Sequence, residues 1–387
     1  MRLLHFAETG AVVGGAERYL ETLLAADVPD LEHAVVTHGG GPCEYAGPWP
    51  SFAWPWLAPR AKAGPGPGVQ DATPLFHAPP SPATLADLGD VPYAVFCHDH
   101  RWWCPSGSRF HLRTHRACAI HASWAACGLR YHLLRCGSLR PGPTVANFAR
   151  AAMARTTLAG AGAVLCASQF MVREAVRHGA RSTRTHLVPL PVAVPPDPTT
   201  PAPDDPVILA ASRLTPEKGI AELLDAFALV RTPARLVIVG DGIEAEALAD
   251  AAAVHPAAHR ISFAGRLGPG AMRDALAAAT LVAMPSVWPE PFGLVGIEAL
   301  ALGRPVVSSG TGGSADWSRE DLGVLTADPT DPAALALALD RALTEPEWTR
   351  RAREVGAPWV AERHGMAAHV AALTAALATL AGRSRAA

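Results

Sequence analysis

The stretch VILAASRLTPEKGI, residues 207–220, contains a short apolar run followed by a polar corner and the start of a helical pattern. The apolar run predicts a buried strand, and Pro216 and Glu217 are residue types that suit a first helical turn. The proline-rich segment 191–206 comes directly before it and is too rich in proline to hold regular structure. The segment is therefore predicted to be a linker, after which the strand opens a second domain.

Apolar runs alternate with helical patterns on both sides of this linker. The runs on the N-terminal side predict strands at residues 2–7, 33–37, 92–98, 163–168 and 185–190, with helices at 16–26 and 169–178. Those on the C-terminal side predict strands at 207–212, 235–240, 260–265, 281–286 and 305–309, with helices near 217–231, 243–254, 270–279, 292–302 and 331–343. This order predicts an α/β fold with two Rossmann-like domains, residues 1–190 and 207–358, facing each other across a cleft. Residues 39–82 show no clear period and are expected to be irregular.

Composition excludes several classes of protein. The chain has 387 residues and a formal net charge of −2, whereas a general nucleic-acid binder is normally basic. Its first residues do not resemble a signal peptide, and it has no apolar stretch long enough to span a bilayer. We therefore expect a cytoplasmic protein. The odd count of 7 cysteines fits reduced thiols better than a disulfide framework.

The corner that follows the strand at 207–212 carries two cations, Arg213 and Lys218. The sequence has only one other lysine, Lys62, because arginine supplies nearly all its positive charge. Two cations at a strand-to-helix corner suit a diphosphate, since both phosphoryl groups carry charge. The alternative is an ordinary solvated loop.

The stretch WPEPFGLVGIEALALGRP, residues 288–305, places Glu290 before a predicted helix and Glu298 inside it. Free N–H groups at the helix start, from Phe292 to Leu294, form a natural anion site. Phosphate is therefore expected at the helix start, sugar hydroxyls beside Glu290 and a ribose beside Glu298. The run FAGRL, 263–267, ends a strand at a glycine, where backbone groups of Gly265, Arg266 and Leu267 are positioned to meet a flat base.

These motifs, in this order, resemble the retaining glycosyltransferases of family 4, which have the two-domain GT-B fold. The resemblance covers nearly the whole chain. It implies that Arg213 and Lys218 hold the diphosphate of the donor, that Glu290 contacts the donor sugar and that Glu298 binds the ribose. It further implies that the backbone of Phe292, Gly293, Leu294 and Val295 meets sugar and phosphate.

The resemblance also assigns roles in the N-terminal domain, which it makes the acceptor-binding one. Gly14 and Gly15 look like the family's glycine loop after the first strand, and His98 matches the strand-end histidine that touches the donor sugar. Residues 359–387 would form a C-terminal helix that crosses back to the N-terminal domain. The run GGSADW, 312–317, departs from the family, which often has Pro-Glu after the late Gly-Gly.

The resemblance implies a retaining hexosyltransferase that uses a nucleotide diphosphate sugar, with UDP-sugar favoured over GDP-sugar, and an unidentified acceptor. No Asp-x-Asp stands at a strand end, so we expect no metal and no other cofactor. Two alternatives stay open: a sugar-nucleotide epimerase of the same fold, and a catalytically silent scaffold subunit. A dinucleotide oxidoreductase is disfavoured because no strand is followed by G-x-G-x-x-G.

An arginine-rich segment, residues 101–155, stands out in the N-terminal domain. From His100 to Arg173 there are ten arginines and no acidic residue. Such a segment suits an anionic or lipid-linked acceptor, or peripheral contact with a membrane surface, although a solvated basic face explains it equally well. Interleaved cysteines and histidines leave a metal site open for Cys104, Cys118, Cys127 and Cys136, but the C-x2-C pairs typical of structural zinc are missing.

Overall fold

The computed structural model describes residues 1–7, 15–26, 28, 31–37, 51–53, 72–195 and 205–381. The chain divides into two compact units. The first comprises Met1–Arg109, Ala119–Pro191 and Met366–Ala387, and the second comprises Phe110–Cys118 and Val192–Gly365. Where the sequence assigns all of 1–190 to one domain, this division groups Phe110–Cys118 with the second unit.

The described residues form strands and helices that largely follow the predicted ones. The strands are β1 Arg2–Ala7, β2 Glu32–Thr37, β3 Ser51–Ala53, β4 Thr73–Phe76, β5 Ala94–Cys97, β6 Phe110–His111, β7 Arg116–Ala117, β8 Ala163–Cys166, β9 Thr185–Leu187, β10 Val207–Ala211, β11 Arg235–Val239, β12 Ile261–Gly265, β13 Leu281–Met284, β14 Val306–Ser308 and β15 Val324–Thr326. The α-helices are α1 Gly15–Leu24, α2 Pro82–Leu88, α3 Trp124–Leu133, α4 Pro141–Gly160, α5 Gln169–Arg177, α6 Ile220–Phe227, α7 Ala245–Ala253, α8 Pro269–Ala278, α9 Leu294–Ala301, α10 Pro332–Thr344, α11 Pro346–Arg351, α12 Ala357–His364 and α13 Met366–Ala381.

The first unit is built on a parallel sheet. In its described part seven strands lie in the order β3-β2-β1-β4-β5-β8-β9, and each neighbouring pair runs parallel. One face packs into a core that includes Phe76 and Trp103. On the other face, α1 buries Tyr19 and Leu23. The last helix, α13, belongs to this unit and contacts β8.

The second unit repeats the design. Six parallel strands of the described residues lie in the order β12-β11-β10-β13-β14-β15. Its core joins strand residues such as Leu236 to helix residues such as Phe227 and Leu339. The two sheets confirm the predicted α/β fold with two Rossmann-like domains.

Several of the described elements were not predicted from the sequence. β4 lies inside residues 39–82, which were expected to be irregular. Proline disfavours a central strand, so Pro74 argued against this element. In the structure β4 nevertheless pairs with β1 and with β5. The short strand β3 lies inside residues 39–82 too. The helices α3 and α4 were hidden by the glycines, prolines and exposed apolar residues of segment 124–160. Among the described helices, none is long and apolar enough to cross a membrane.

Candidate functional site

The order of strands in the second unit places a ligand site at one edge of its sheet. From β10 the chain continues to β11 on one side, whereas β13 lies on the other side, so the order reverses between β10 and β13. Ligands of such sheets bind beyond the carboxyl ends of the strands at this reversal. The corner with Arg213 and Lys218 follows β10, and the loop with Ser286 and Glu290 follows β13. Both predicted motifs therefore reach the same point of the fold.

A buried ion pair joins these two loops. Lys218 Nζ lies 2.7 Å from Glu290 Oε1, and their side chains are 14% and 7% exposed. The hydroxyl of Ser286 donates to the same oxygen, at 2.6 Å. The ammonium also lies over the ring of Trp288, 4.7 Å from its centroid. Lys218 and Glu290, predicted separately as ligands of diphosphate and sugar, thus form one charged cluster in this structure.

The Glu290 carboxyl is held in its ionised form. Burial alone raises its pKa, but the charge of Lys218 and the hydrogen bonds from Lys218, Ser286 and Trp288 outweigh that effect. The net result is a pKa below the ordinary value of 4.5. The carboxylate is therefore a fixed hydrogen-bond acceptor.

The backbone of Glu290 is fixed by the run GGSADW, whose role the sequence left open. Gly313 N donates to Glu290 O at 2.5 Å, and Gly312 forms an isolated bridge with Glu290. A Cβ on Gly312 would lie 2.4 Å from Glu290 O, and its φ of 66° also favours glycine. Glycine at position 312 therefore allows the two backbone segments to lie in contact.

Gly293 and Gly296, at the start of α9, have a packing role as well. α9 begins at Leu294, with Gly293 as its N-cap, so its first N–H groups have no acceptor within the helix. A Cβ on Gly296 would lie 2.1 Å from the ring of Trp317, and one on Gly293 would lie 2.9 Å from Met284 Cε. Trp317 Nε1 in turn donates to Phe292 O at 2.7 Å. The indole of Trp317 therefore occupies the space beside these glycines, which gives them a packing role.

Other predicted residues belong to the second unit as well. Arg213 is exposed, with its guanidinium 3.8 Å from Glu217 Oε1. Glu298 is half-buried on α9. At the end of β12, Gly265 has a φ of 64° and open space where a Cβ would be, Arg266 is exposed and Leu267 is half-buried.

Two of the predicted site residues, His98 and Gly15, belong to the described part of the first unit. His98 directly follows β5, its ring stacked on Phe96 with centroids 4.3 Å apart. Burial, Arg101 and His369 lower the pKa of His98 to about 3, so the ring is neutral. Gly15 is the exposed first residue of α1, and Gly14 lies outside the described residues.

Cys104, Cys118, Cys127 and Cys136, for which the sequence left a metal site open, all lie in the described part of the chain. No group of three or more His, Cys, Asp and Glu side chains is placed there to hold a metal ion. None of these four described cysteines is joined in a disulfide.

Sequence reasoning missed three residues that shape the site. They are Ser286, which binds the Glu290 carboxylate, Trp317, which supports Phe292, and Thr311, whose hydroxyl donates to Trp288 O at 2.7 Å. Serine and threonine are too common in loops to be informative one by one. Only their place beyond the strand ends of β13 and β14 could have drawn attention to them.

Comparison with solved structures defines the class of fold. A crystal structure of Anabaena Alr3699/HepE in complex with UDP and glucose superimposes with a TM-score of 0.71 at 19% sequence identity, covering 98% of this chain and 100% of that one. The two parallel-sheet units are therefore those of a GT-B glycosyltransferase fold.

The family model described as glycosyl transferases group 1 matches residues 196–359, which is most of the second unit. An uncharacterized glycosyltransferase of Methanocaldococcus jannaschii is 35% identical over 144 residues, 37% of each chain, so the match spans little more than a third of that relative. A D-inositol 3-phosphate glycosyltransferase of Xylanimonas cellulosilytica is 28% identical over 361 residues, covering 79% of this chain and 82% of that protein. The match to the group 1 family model thus lies in the C-terminal half of the chain.

Proposed function

We propose that this protein is a retaining glycosyltransferase that moves a sugar from a nucleotide diphosphate sugar to an acceptor. The observation that carries the proposal is the buried Lys218–Glu290–Ser286 cluster at the strand reversal of a group 1 domain. A buried ion pair at this position is costly to desolvate, so a structural role alone gives little reason for it.

The cluster suits the chemistry of such a donor. When a nucleotide sugar breaks its bond to the diphosphate, negative charge develops on the leaving phosphoryl oxygen. That charge would be stabilised by Lys218, by Arg213 and by the N–H groups at the start of α9. Such electrostatic stabilisation is usually the largest single contribution to catalysis. Glu290, fixed in its ionised state, would accept hydrogen bonds from sugar hydroxyls. Glu298 would hold the ribose, Gly265–Leu267 the base, and His98 the donor sugar.

Metal independence is part of the proposal. The cations named above would replace a metal ion at the diphosphate, and the leaving phosphate would itself assist deprotonation of the acceptor on the same face. UDP is the favoured nucleotide, supported by the UDP in the similar Anabaena structure. The enzyme class is also supported by the two relatives named above, both of which are glycosyltransferases.

The first test is binding of the donor. Titration with UDP, GDP and their sugars in the presence of a chelator is expected to raise the melting temperature with one nucleotide, because ligands that bind only the folded state stabilise it. At a hundredfold excess over Kd the stabilisation is about 2.7 kcal/mol. The shift should be lost in Glu298→Ala and kept in a control, Asp340→Asn, on α10. A folded protein that responds to no nucleotide would contradict the proposal and favour a silent scaffold.

The arginine-rich segment supports a second proposal, that the first unit docks on an anionic membrane surface. We define its basic apolar surface by the exposed residues of α3, the following loop and the start of α4, namely Trp124, Leu129, Arg130, Leu133, Arg135, Leu139, Arg140 and Val145. Exposed apolar and cationic side chains together are typical of interfacial helices. Other arginines of the segment are structural: Arg109 pairs with buried Glu174, and Arg150 donates to two backbone carbonyls.

This docking has a direct test by cosedimentation with vesicles. Removing three positive charges with Arg130→Gln, Arg135→Gln and Arg140→Gln is expected to weaken binding to anionic vesicles about a hundredfold, since each charge contributes about 1 kcal/mol. The matched control removes three exposed arginines of the second unit, Arg231, Arg235 and Arg273. Equal loss in both triple variants, or equal binding to neutral vesicles, would contradict the proposal.

A further inference from the structure

A row of four histidines crosses the sheet of the first unit, one from each of four neighbouring strands. His33 lies on β2 and His5 on β1, while His77 directly follows β4 and His98 directly follows β5. The rings are joined head to tail. His33 Nδ1 is 2.8 Å from His5 Nε2, His5 Nδ1 is 2.9 Å from His77 Nε2, and His77 Nδ1 is 2.9 Å from His98 Nε2.

The rings of the row are neutral. His33, His5 and His77 are 4%, 0% and 3% exposed. Burial lowers the pKa of all three, that of His33 to about 4, and neighbouring histidines lower those of His5 and His77 further. A neutral imidazole carries one N–H and one acceptor nitrogen. Each ring can therefore donate in one direction only.

Counting protons leaves the row two states. Four neutral rings hold four N–H groups, and three of these fill the three hydrogen bonds. The fourth must lie at one end of the row. If every ring carries its proton on Nδ1, His98 presents an N–H donor at Nδ1; if every ring carries it on Nε2, His98 presents an acceptor there. Any mixture would leave two donors or two acceptors facing each other in a buried bond.

Tyr19 packs against the rings of His77 and His98. Its hydroxyl does not fix the tautomer of either ring, because it is hydrogen-bonded to His369. His369 Nδ1 lies 2.8 Å from the carbonyl oxygen of Pro189, so it must donate there. His369 Nε2 is then an acceptor, and the Tyr19 hydroxyl donates to it at 3.2 Å. Arg101, whose charge lowers the pKa of His98, pairs with Asp99 at 2.7 Å.

We propose that this row is one tautomeric unit that decides whether His98 Nδ1 donates or accepts a hydrogen bond, so that His5, His33 and His77 are positioning residues for it. The role of that nitrogen toward a donor sugar rests on the proposed function; the coupling of the four rings does not. A sugar hydroxyl bound to His98 Nδ1 would meet a nitrogen whose role as donor or acceptor is fixed. That role reverses only if all four rings change tautomer together.

The coupling is measured without any ligand. Protein labelled with 15N-histidine shows in long-range 1H–15N NMR spectra which nitrogen of each ring carries the proton. The four rings are expected to share one tautomer, all Nδ1–H or all Nε2–H. Different tautomers among them would overturn the proposal, whatever the variants below show.

Substitution at the far end tests whether the effect is transmitted. Lysine only donates and an ionised carboxylate only accepts. His33→Lys is therefore expected to bring His98 to Nδ1–H, and His33→Glu at about pH 8 to bring it to Nε2–H, above the ordinary carboxyl pKa. His186→Phe, on β9 and outside the row, is the control and should leave His98 unchanged. A His98 tautomer that is the same in both His33 variants would contradict transmission.

Binding separates this inference from the proposed function. The two His33 variants should bind a nucleoside diphosphate equally well but differ about tenfold in affinity for its sugar conjugate, the worth of one hydrogen bond. Equal affinities for the conjugate would overturn the positioning role. Failure of every variant and of the wild type to bind nucleotide would instead refute the proposed function and leave the tautomer result standing.

Discussion

Replacement of Glu290 by glutamine is expected to lower the rate of sugar transfer about a hundredfold to a thousandfold while the protein still folds. The amide keeps the size of the carboxyl and can still accept hydrogen bonds from Lys218 and Ser286. The amide lacks the negative charge of the carboxylate. Removal of one preorganised electrostatic group from an active site typically lowers the rate about a hundredfold to a thousandfold. The measurement is the initial rate of sugar transfer at saturating donor.

Asp340→Asn is the matched control for this variant. Asp340 is a half-buried carboxylate of the same unit that accepts from the backbone N–H of Arg231 and Thr232. Its loss should reduce stability but leave turnover within about threefold, because surface and structural changes away from a site act mainly on folding. If Glu290→Gln transfers sugar as fast as this control, the assigned role of Glu290 is wrong.

Removal of the partner charge, in Lys218→Met, is expected to lower the free energy of unfolding by about 3–5 kcal/mol. The substitution leaves the Glu290 carboxylate buried with no opposite charge at 2.7 Å. Urea denaturation at neutral pH measures the loss. Arg319→Met breaks the exposed pair with Asp321 and should cost less than about 1 kcal/mol.

The double variant Lys218→Met with Glu290→Gln shows whether stability is lost through the uncompensated buried charge or through lost packing of the lysine side chain. It should recover most of the stability lost in Lys218→Met, because no buried charge remains uncompensated. A double variant no more stable than Lys218→Met would show that the lost packing of the lysine stem, and not the charge, explains the effect.

The same pair sets how stability depends on pH. In the wild type, the pKa of Glu290 lies below its unfolded value of about 4.5, so its contribution is present above pH 4.5 and is lost as the pH falls further. In Lys218→Met, burial instead raises this pKa, and its contribution is lost as the pH rises through the folded value. The difference in stability between the two proteins should therefore narrow as the pH is lowered toward 4.

Most of the strands and the principal charged residues of the site were predictable from local pattern. β10 and β13 are short apolar runs, and the two polar loops that follow them carry Lys218 and Glu290. Each charged residue lies within a few residues of the apolar run that precedes it, which is why the pattern can be read along the chain. β4 could not be predicted because Pro74 contradicts a strand locally, and long-range pairing with two neighbours overrides it.

The sequence by itself determined that the chain is an α/β protein with two parallel-sheet halves and a group of cations and carboxylates at strand ends. Only the tertiary structure decided that Lys218 binds Glu290, 72 residues away, that Gly312 lies against the Glu290 backbone, and that histidines of four strands form one row. The physical reason is that periodicity and turn chemistry are local, whereas strand order and register bring together residues that no pattern along the chain connects.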